Sequence, residues 1–168
     1  DTLSVSAINT ENTQGEVTDN EDGTYEYNPN GQFENLAVGE TATDSFSYTI
    51  NDGNGETNTA TVEITIEGVN DTPTATADNF TTNEDTATTI ENLLDNDSDP
   101  DDNDTLSVSA INTENTQGEV TDNEDGTYDY NPNGQFENLA VGETATDSFS
   151  YTINDGNDGT DTATITIT

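Results

Sequence analysis

Residues 1–65 recur as residues 104–168, offset by 103 positions, and 59 of the 65 pairs are identical. Whatever the first stretch folds into, the second must fold into as well. A repeat of this length has the size of an autonomous domain rather than a solenoid unit. The six differing pairs are Glu26/Asp129, Gly55/Asp158, Glu56/Gly159, Asn58/Asp161, Val62/Ile165 and Glu63/Thr166. The offset puts the first residue at a point equivalent to the middle of a repeat. We therefore expect residues 1–67 to be the C-terminal two-thirds of one repeat, residues 68–73 a linker, and residues 74–168 a complete repeat. Either the sequence is a window on a longer array, or another chain supplies the strands that 1–67 lacks.

The hydrophobic period is two, which specifies strands. Leu106, Val108 and Ala110 alternate with Thr105, Ser107 and Ser109. Phe149, Tyr151 and Ile153 alternate with serines and Thr152; Ala163, Ile165 and Ile167 alternate with threonines. The segments "DNEDGT" (122–127), "NPNG" (131–134) and "NDGNDG" (154–159) separate these runs, each placing Gly where a tight turn needs it. The expected fold is all-β: tandem antiparallel Greek-key β-sandwiches of Ig/cadherin-like type. Only "ENLAVGE" (137–143) reads as a helical turn. The six differences fit this layout, with positions 26/129 and 63/166 facing outward, 62/165 inward, and 55, 56 and 58 in a loop. Phe80, which has no counterpart in the other copy, is expected to pack under the first strand.

Charge narrows the function. The chain carries 37 carboxylates and no Lys, Arg or His, for a formal charge of −37. Nucleic acid and anionic membrane surfaces are poor partners for such a surface. Without Cys there is neither a disulfide nor a thiol nucleophile, and without His the usual near-neutral base is missing. Paired carboxylates could serve a glycosidase, but these acids fall on a loop and lack the aromatic platforms such sites use. No enzyme is expected.

Six aspartates fall within ten residues, from Asp95 to Asp104, beside apolar segments. Hard cations such as calcium take six to eight oxygen ligands at about 2.3–2.6 Å, and this loop offers little besides oxygen. It is not an EF-hand: counting from Asp95, position six is Pro100 and position twelve is Leu106. The loop is therefore expected to hold Ca2+ between strands, with distant residues completing the shell. The competing reading is a solvated acidic loop. Asn-Gly and Asp-Gly turns such as "NDGNDG" need no metal to form.

Four segments carry a family resemblance: "NEDTATTIENLLDNDSDPDDNDTLSV", "GEVTDNEDGTYDYNPNGQF", "LAVGETATDSFSYTINDG" and the joining "GVNDTP". In this order the chain resembles the cadherin-like and VCBS-type repeats of large bacterial surface proteins and RTX adhesins. The resemblance implies calcium held near the seam between domains. Glu84 would be the first-strand acid, Asp99 and Asp101 the Asp-x-Asp pair, and Asn70 and Asp71 the linker ligands. Asp95, Asp97 and Asp104 would then be available for a separate site within the domain. Gly68 and Thr72 stand where the cadherin linker carries its outer Asp and Asn, and no Asp-Arg-Glu motif is present. The implied function is a calcium-stiffened structural extender of a long extracellular adhesin or surface fibre. The alternative is a calcium-dependent carbohydrate-binding or homophilic adhesion module. The implied partners are neighbouring repeats of the same chain, or identical chains in a fibre whose strands complete residues 1–67.

Overall fold

A computed structural model describes residues 2–168. The chain divides into two compact units, residues 1–70 and 71–168. Every regular element among the described residues is a strand.

Unit 2 is a sandwich. One sheet has the order β6 (Asp78–Phe80), β12 (Thr160–Ile167), β11 (Asp147–Asn154), β8 (Ser107–Asn112). The other has the order β7 (Thr88–Ile90), β10 (Tyr128–Asn131), β9 (Glu119–Asp122). The chain crosses between sheets after β6, β7, β8 and β10, giving the Greek-key connectivity. All pairs are antiparallel except one. β6 runs parallel to β12, with Asp78 opposite Ile165 and Phe80 opposite Ile167. Both strands start at the same end of the unit, where the Ala75 N–H reaches the Asp161 carboxylate at 2.9 Å.

The alternating pattern becomes the core. Tyr151, Ile153, Ile165 and Ile90 have no exposed surface, and Tyr130 retains 1 %. Fully burying such side chains contributes about 1.5–3 kcal/mol each. Phe80 packs against this cluster, as do Ala75, Leu106, Val108 and Ile111. The parity of β8 changes part-way. Ile153 faces Val108 and Thr152 faces Ala110, leaving Ser109 as an extra residue. Such a bulge sends the following side chains to the opposite face. Ile111 therefore joins the core, and Ala110, expected inside, is exposed. Unit 1 has the same bulge at Ser6, between Val5 and Ala7.

Two other expectations change. Residues 137–143 form hydrogen-bonded turns, Leu139 N–H to Phe136 O and Glu143 N–H to Ala140 O, rather than a helical turn. Asn58 and Asp161 lie on strands, not in the preceding loop, because β-pairing begins directly after the Gly-containing turn.

Unit 1 contains a three-stranded sheet, β1 (Ser4–Asn9), β4 (Thr41–Asn51), β5 (Thr57–Glu67), and a hairpin, β2 (Glu16–Asp19) with β3 (Tyr25–Asn28). These are the counterparts of β8, β11, β12, β9 and β10. Among the described residues nothing in unit 1 stands in for β6 or β7.

Candidate metal centre

The acidic loop of unit 2 separates into two arrangements with different chemistry. Its first half is tied into the sandwich by hydrogen bonds. Asp97 accepts the Thr76 N–H at 2.7 Å and the Tyr151 hydroxyl at 3.1 Å. Asn96 donates to Thr76 O at 3.2 Å and to Asp78 at 3.1 Å. Burial, with the Asp97 charge adding to it, holds the Asp78 carboxyl above its ordinary range. Asp95 is exposed, and its N–H closes a turn on Asn92 O. These residues anchor the loop.

The second half gathers charge. One carboxylate oxygen each from Asp99, Asp101 and Asp104 lie within 4.8 Å of one another. Asp101 is 3 % exposed. The loop holds its shape through the Asp101 N–H on Asp99 Oδ1 at 2.9 Å and the Asp71 N–H on Asp101 Oδ2 at 2.9 Å. The other oxygens, Asp99 Oδ2 and Asp101 Oδ1, are buried and accept no hydrogen bond. Burial raises the Asp99 carboxyl above its ordinary value, and the charges of Asp101, Asp104 and Asp155 push the same way.

Asp155 lies outside that trio but close enough for its charge to act on Asp99. It is 3 % exposed in the turn between β11 and β12, and its Oδ1 accepts the Asn157 N–H at 2.7 Å and the Gly159 N–H at 3.0 Å. The Asn157 amide reaches back to Asp104 Oδ2 at 2.9 Å. Local sequence favours a turn at "NDGNDG" over a ligand set. What it lacks is the knowledge that the β11–β12 turn and the 99–104 loop share one end of the unit.

Buried carboxylate oxygens cost several kcal/mol unless paired, and this chain has no cationic side chain to pair them. Two oxygens each about 2.3–2.6 Å from one ion can be up to about 5 Å apart. The Asp99–Asp101–Asp104 cluster satisfies that limit, and its orphaned oxygens fit a hard divalent cation.

Of the other residues implicated from sequence, Asn70 ends unit 1 and Asp71 begins unit 2, where its N–H braces Asp101. Glu84 lies elsewhere. It lines a cavity of about 320 Å³ with Tyr130, Phe136, Leu139 and Ile167. That cavity is at the far end of β12 from Asp155, roughly 23 Å away for eight residues of strand.

A family model described as a bacterial cadherin-like domain matches residues 1–68 and again 70–168. The chain belongs to the bacterial cadherin-like domain family. It is 33% identical over 146 residues, 79% of its length, to a protein of Rhizobium johnstonii named calcium-binding lectin RapA2. The matched region spans 61% of that relative. Among solved structures, these cadherin-like repeats are similar to Drosophila N-cadherin EC1-4, at 17% identity and a TM-score of 0.47 over 99% of this chain and 41% of that one. Protocadherin gamma C5 EC1-3 is similar at 15% identity and a TM-score of 0.49, over 99% and 55% of the two chains.

Proposed function

We propose that the chain is a calcium-stiffened spacer: a non-enzymatic, extracellular repeat whose acid cluster takes up Ca2+ from the medium. The single observation that carries this reading is the pair of buried oxygens, Asp99 Oδ2 and Asp101 Oδ1, that accept no hydrogen bond in a chain devoid of cationic side chains. Asp99, Asp101 and Asp104 would hold the ion, with the Asp71 N–H fixing the orientation of Asp101 and the Asp155 charge nearby adding to the attraction. The ion supplies positive charge and coordination, not a reaction. Near-identity of the repeats suits a spacer, in which length matters more than any one surface. The eight-residue strands β11 and β12 give the complete repeat a reach of roughly 25 Å before its loops are added.

Thermal unfolding with excess Ca2+ and with EDTA tests this. At a hundredfold excess over Kd, one site adds about 2.7 kcal/mol, which corresponds to a rise in Tm of about 10–20 °C for a domain of roughly 100 residues. Equal melting in the two conditions at low salt overturns the proposal.

A second reading is calcium-dependent carbohydrate binding. It is favoured by the likeness to the Rhizobium relative, which is named a calcium-binding lectin. A glycan array probed with and without Ca2+ separates the two: reproducible glycan signals that EDTA removes favour the lectin, and a blank array favours the spacer.

A further inference from the structure

The two outer faces of unit 2 differ in charge. On the sheet of β7, β10 and β9 the outward positions include Asp129, opposite Thr121 and Thr89, and Glu119, opposite Asn131. On the sheet of β6, β12, β11 and β8 the outward pairs are Ser148 with Thr166, Ser150 with Thr164 and Thr152 with Thr162. β8 adds Ser107, Ala110 and Asn112 to the same side, and β6 adds Asn79. None of these residues is charged, in a chain of which 22% is charged.

Threonine suits an outward strand position whatever the use of the face. The absence of acids is what needs a cause, because the fold does not forbid them. In unit 1 Glu63 occupies the position of Thr166, opposite Ser45, and is exposed. The other sheet of unit 2 carries Asp129 and Glu119 on four-residue strands.

We propose that this neutral face is where a second copy of the chain docks, sheet against sheet, about a two-fold axis near Ser150 and Thr164. Two copies with a formal charge of −37 each repel wherever acid meets acid. At physiological salt that repulsion reaches about 8 Å, and packed sheets lie about 10 Å apart with side chains filling the gap. A face without carboxylates is where two copies can close to that distance. Its hydroxyls both donate and accept, which makes it complementary to itself after a two-fold rotation. Thr152 Oγ1 and Thr162 Oγ1 already pair in this way within one sheet, at 2.9 Å. Among the described residues no aromatic side chain lies on the face for a sugar ring to stack on.

The size of the face sets the strength. Eight-residue strands at about 3.3 Å per residue, four of them about 4.8 Å apart, give roughly 500 Å². Two such faces together bury roughly 1,000 Å², the lower end of specific interfaces, so the association is weak and reversible. It requires no calcium.

The test is sedimentation equilibrium of the full chain in EDTA, at about 0.15 M NaCl and at about 1 M, where the screening length shortens to about 3 Å. We expect a monomer–dimer equilibrium that is several-fold tighter at the higher salt. Thr166→Glu gives unit 2 the acid that unit 1 already carries, so the fold should be kept, with an unchanged Tm, while dimerisation at the lower salt weakens at least tenfold. Thr166→Gln, of the same length without the charge, should retain it. The chain has no Cys, so one introduced thiol reports the geometry. A short bis-maleimide should cross-link Ser150→Cys chains at least tenfold faster than Thr121→Cys chains, whose thiol lies on the acid-bearing face. A monomer at every concentration, Thr166→Glu without effect, or equal cross-linking from the two faces would each overturn the proposal. So would a monomeric chain that binds insoluble cellulose and loses that binding with Thr166→Glu, an outcome that would assign the face to a neutral polysaccharide.

Discussion

The Tyr130 hydroxyl donates to Asp147 Oδ2 at 2.8 Å, and Tyr27 does the same to Asp44 at 2.7 Å. Asp147 begins β11 and Asp44 is the fourth residue of β4, and in each unit this carboxylate takes backbone N–H groups from a loop about 30 residues earlier: Gln117 and Gly118, or Gln14 and Gly15. Burial alone would raise these carboxyls. The Gly N–H, the phenol and the Gln N–H outweigh it, lowering Asp147 and holding Asp44 at about 2. Burial and the Asp44 charge together push the Tyr27 phenol up to about 12.

Removing this clasp should be costly. Asp147→Ala leaves the Gln117 and Gly118 N–H groups and the Tyr130 hydroxyl without their acceptor. Hydrogen bonds to a charged group contribute about 1.5–3 kcal/mol each. A loss of about 3 kcal/mol or more is expected in urea unfolding, with Tyr130→Phe losing about half as much.

The pH dependence should have two limbs. The depressed carboxyls, Asp44 and Asp147, contribute stability that is complete above the unfolded value near 3.9 and is lost as pH falls through the folded value, about 2 for Asp44. The raised carboxyls, Asp99 and Asp78, act oppositely. Between their folded and unfolded values the folded chain binds more protons, so stability rises as pH falls toward about 4. Melting in EDTA should therefore peak in mild acid. Excess Ca2+ should flatten the upper limb, because the ion competes with the protons.

Asp99→Asn should change sign with the medium. In EDTA it removes a like charge from a buried cluster and should raise Tm by a few degrees. In Ca2+ it removes a ligand and should weaken binding at least tenfold, read by titration calorimetry.

Gly118 permits the clasp. A Cβ there would sit 2.6 Å from Asn131 O and 2.6 Å from the Tyr130 ring. Gly118→Ala should cost about 1–3 kcal/mol through forced displacement, seen as a lower urea midpoint with an unchanged slope.

One substitution placed in both units should give unequal costs. Ile153 is fully buried, so Ile153→Ala should cost about 2–5 kcal/mol. Ile50, its counterpart, is half-buried, and Ile50→Ala should cost less than half as much. Separate unfolding curves of the two variants check this.

Strand positions and most of the core could be read in the sequence because an alternating pattern is a local signal. Phe80 packs on the core as expected, from within β6, the first strand of unit 2, rather than beneath it. Ala110 departs from the pattern, since a bulge depends on the cross-strand partner and leaves no local mark. The acid cluster was half legible. Asp99, Asp101 and Asp104 are neighbours in sequence, but the charge of Asp155 reaches Asp99 only through the fold. Asp97 looks the same as Asp99 in sequence, and only the Tyr151 hydroxyl and Thr76 N–H separate an anchor from a candidate ligand. Asp147 lies on the inward parity of Phe149 and Tyr151, where apolar residues are the rule. A charged residue on that parity was the available sign.

The Asp71 amide grips Asp101 at the first residue of unit 2, ahead of the Thr74–Ser98 backbone bridge. Tension arriving from the N-terminal side would load this carboxylate before it reached any strand. An ion seated there would act as a rivet against mechanical extraction, and the unit's resistance to pulling would follow the free divalent-cation level of its surroundings.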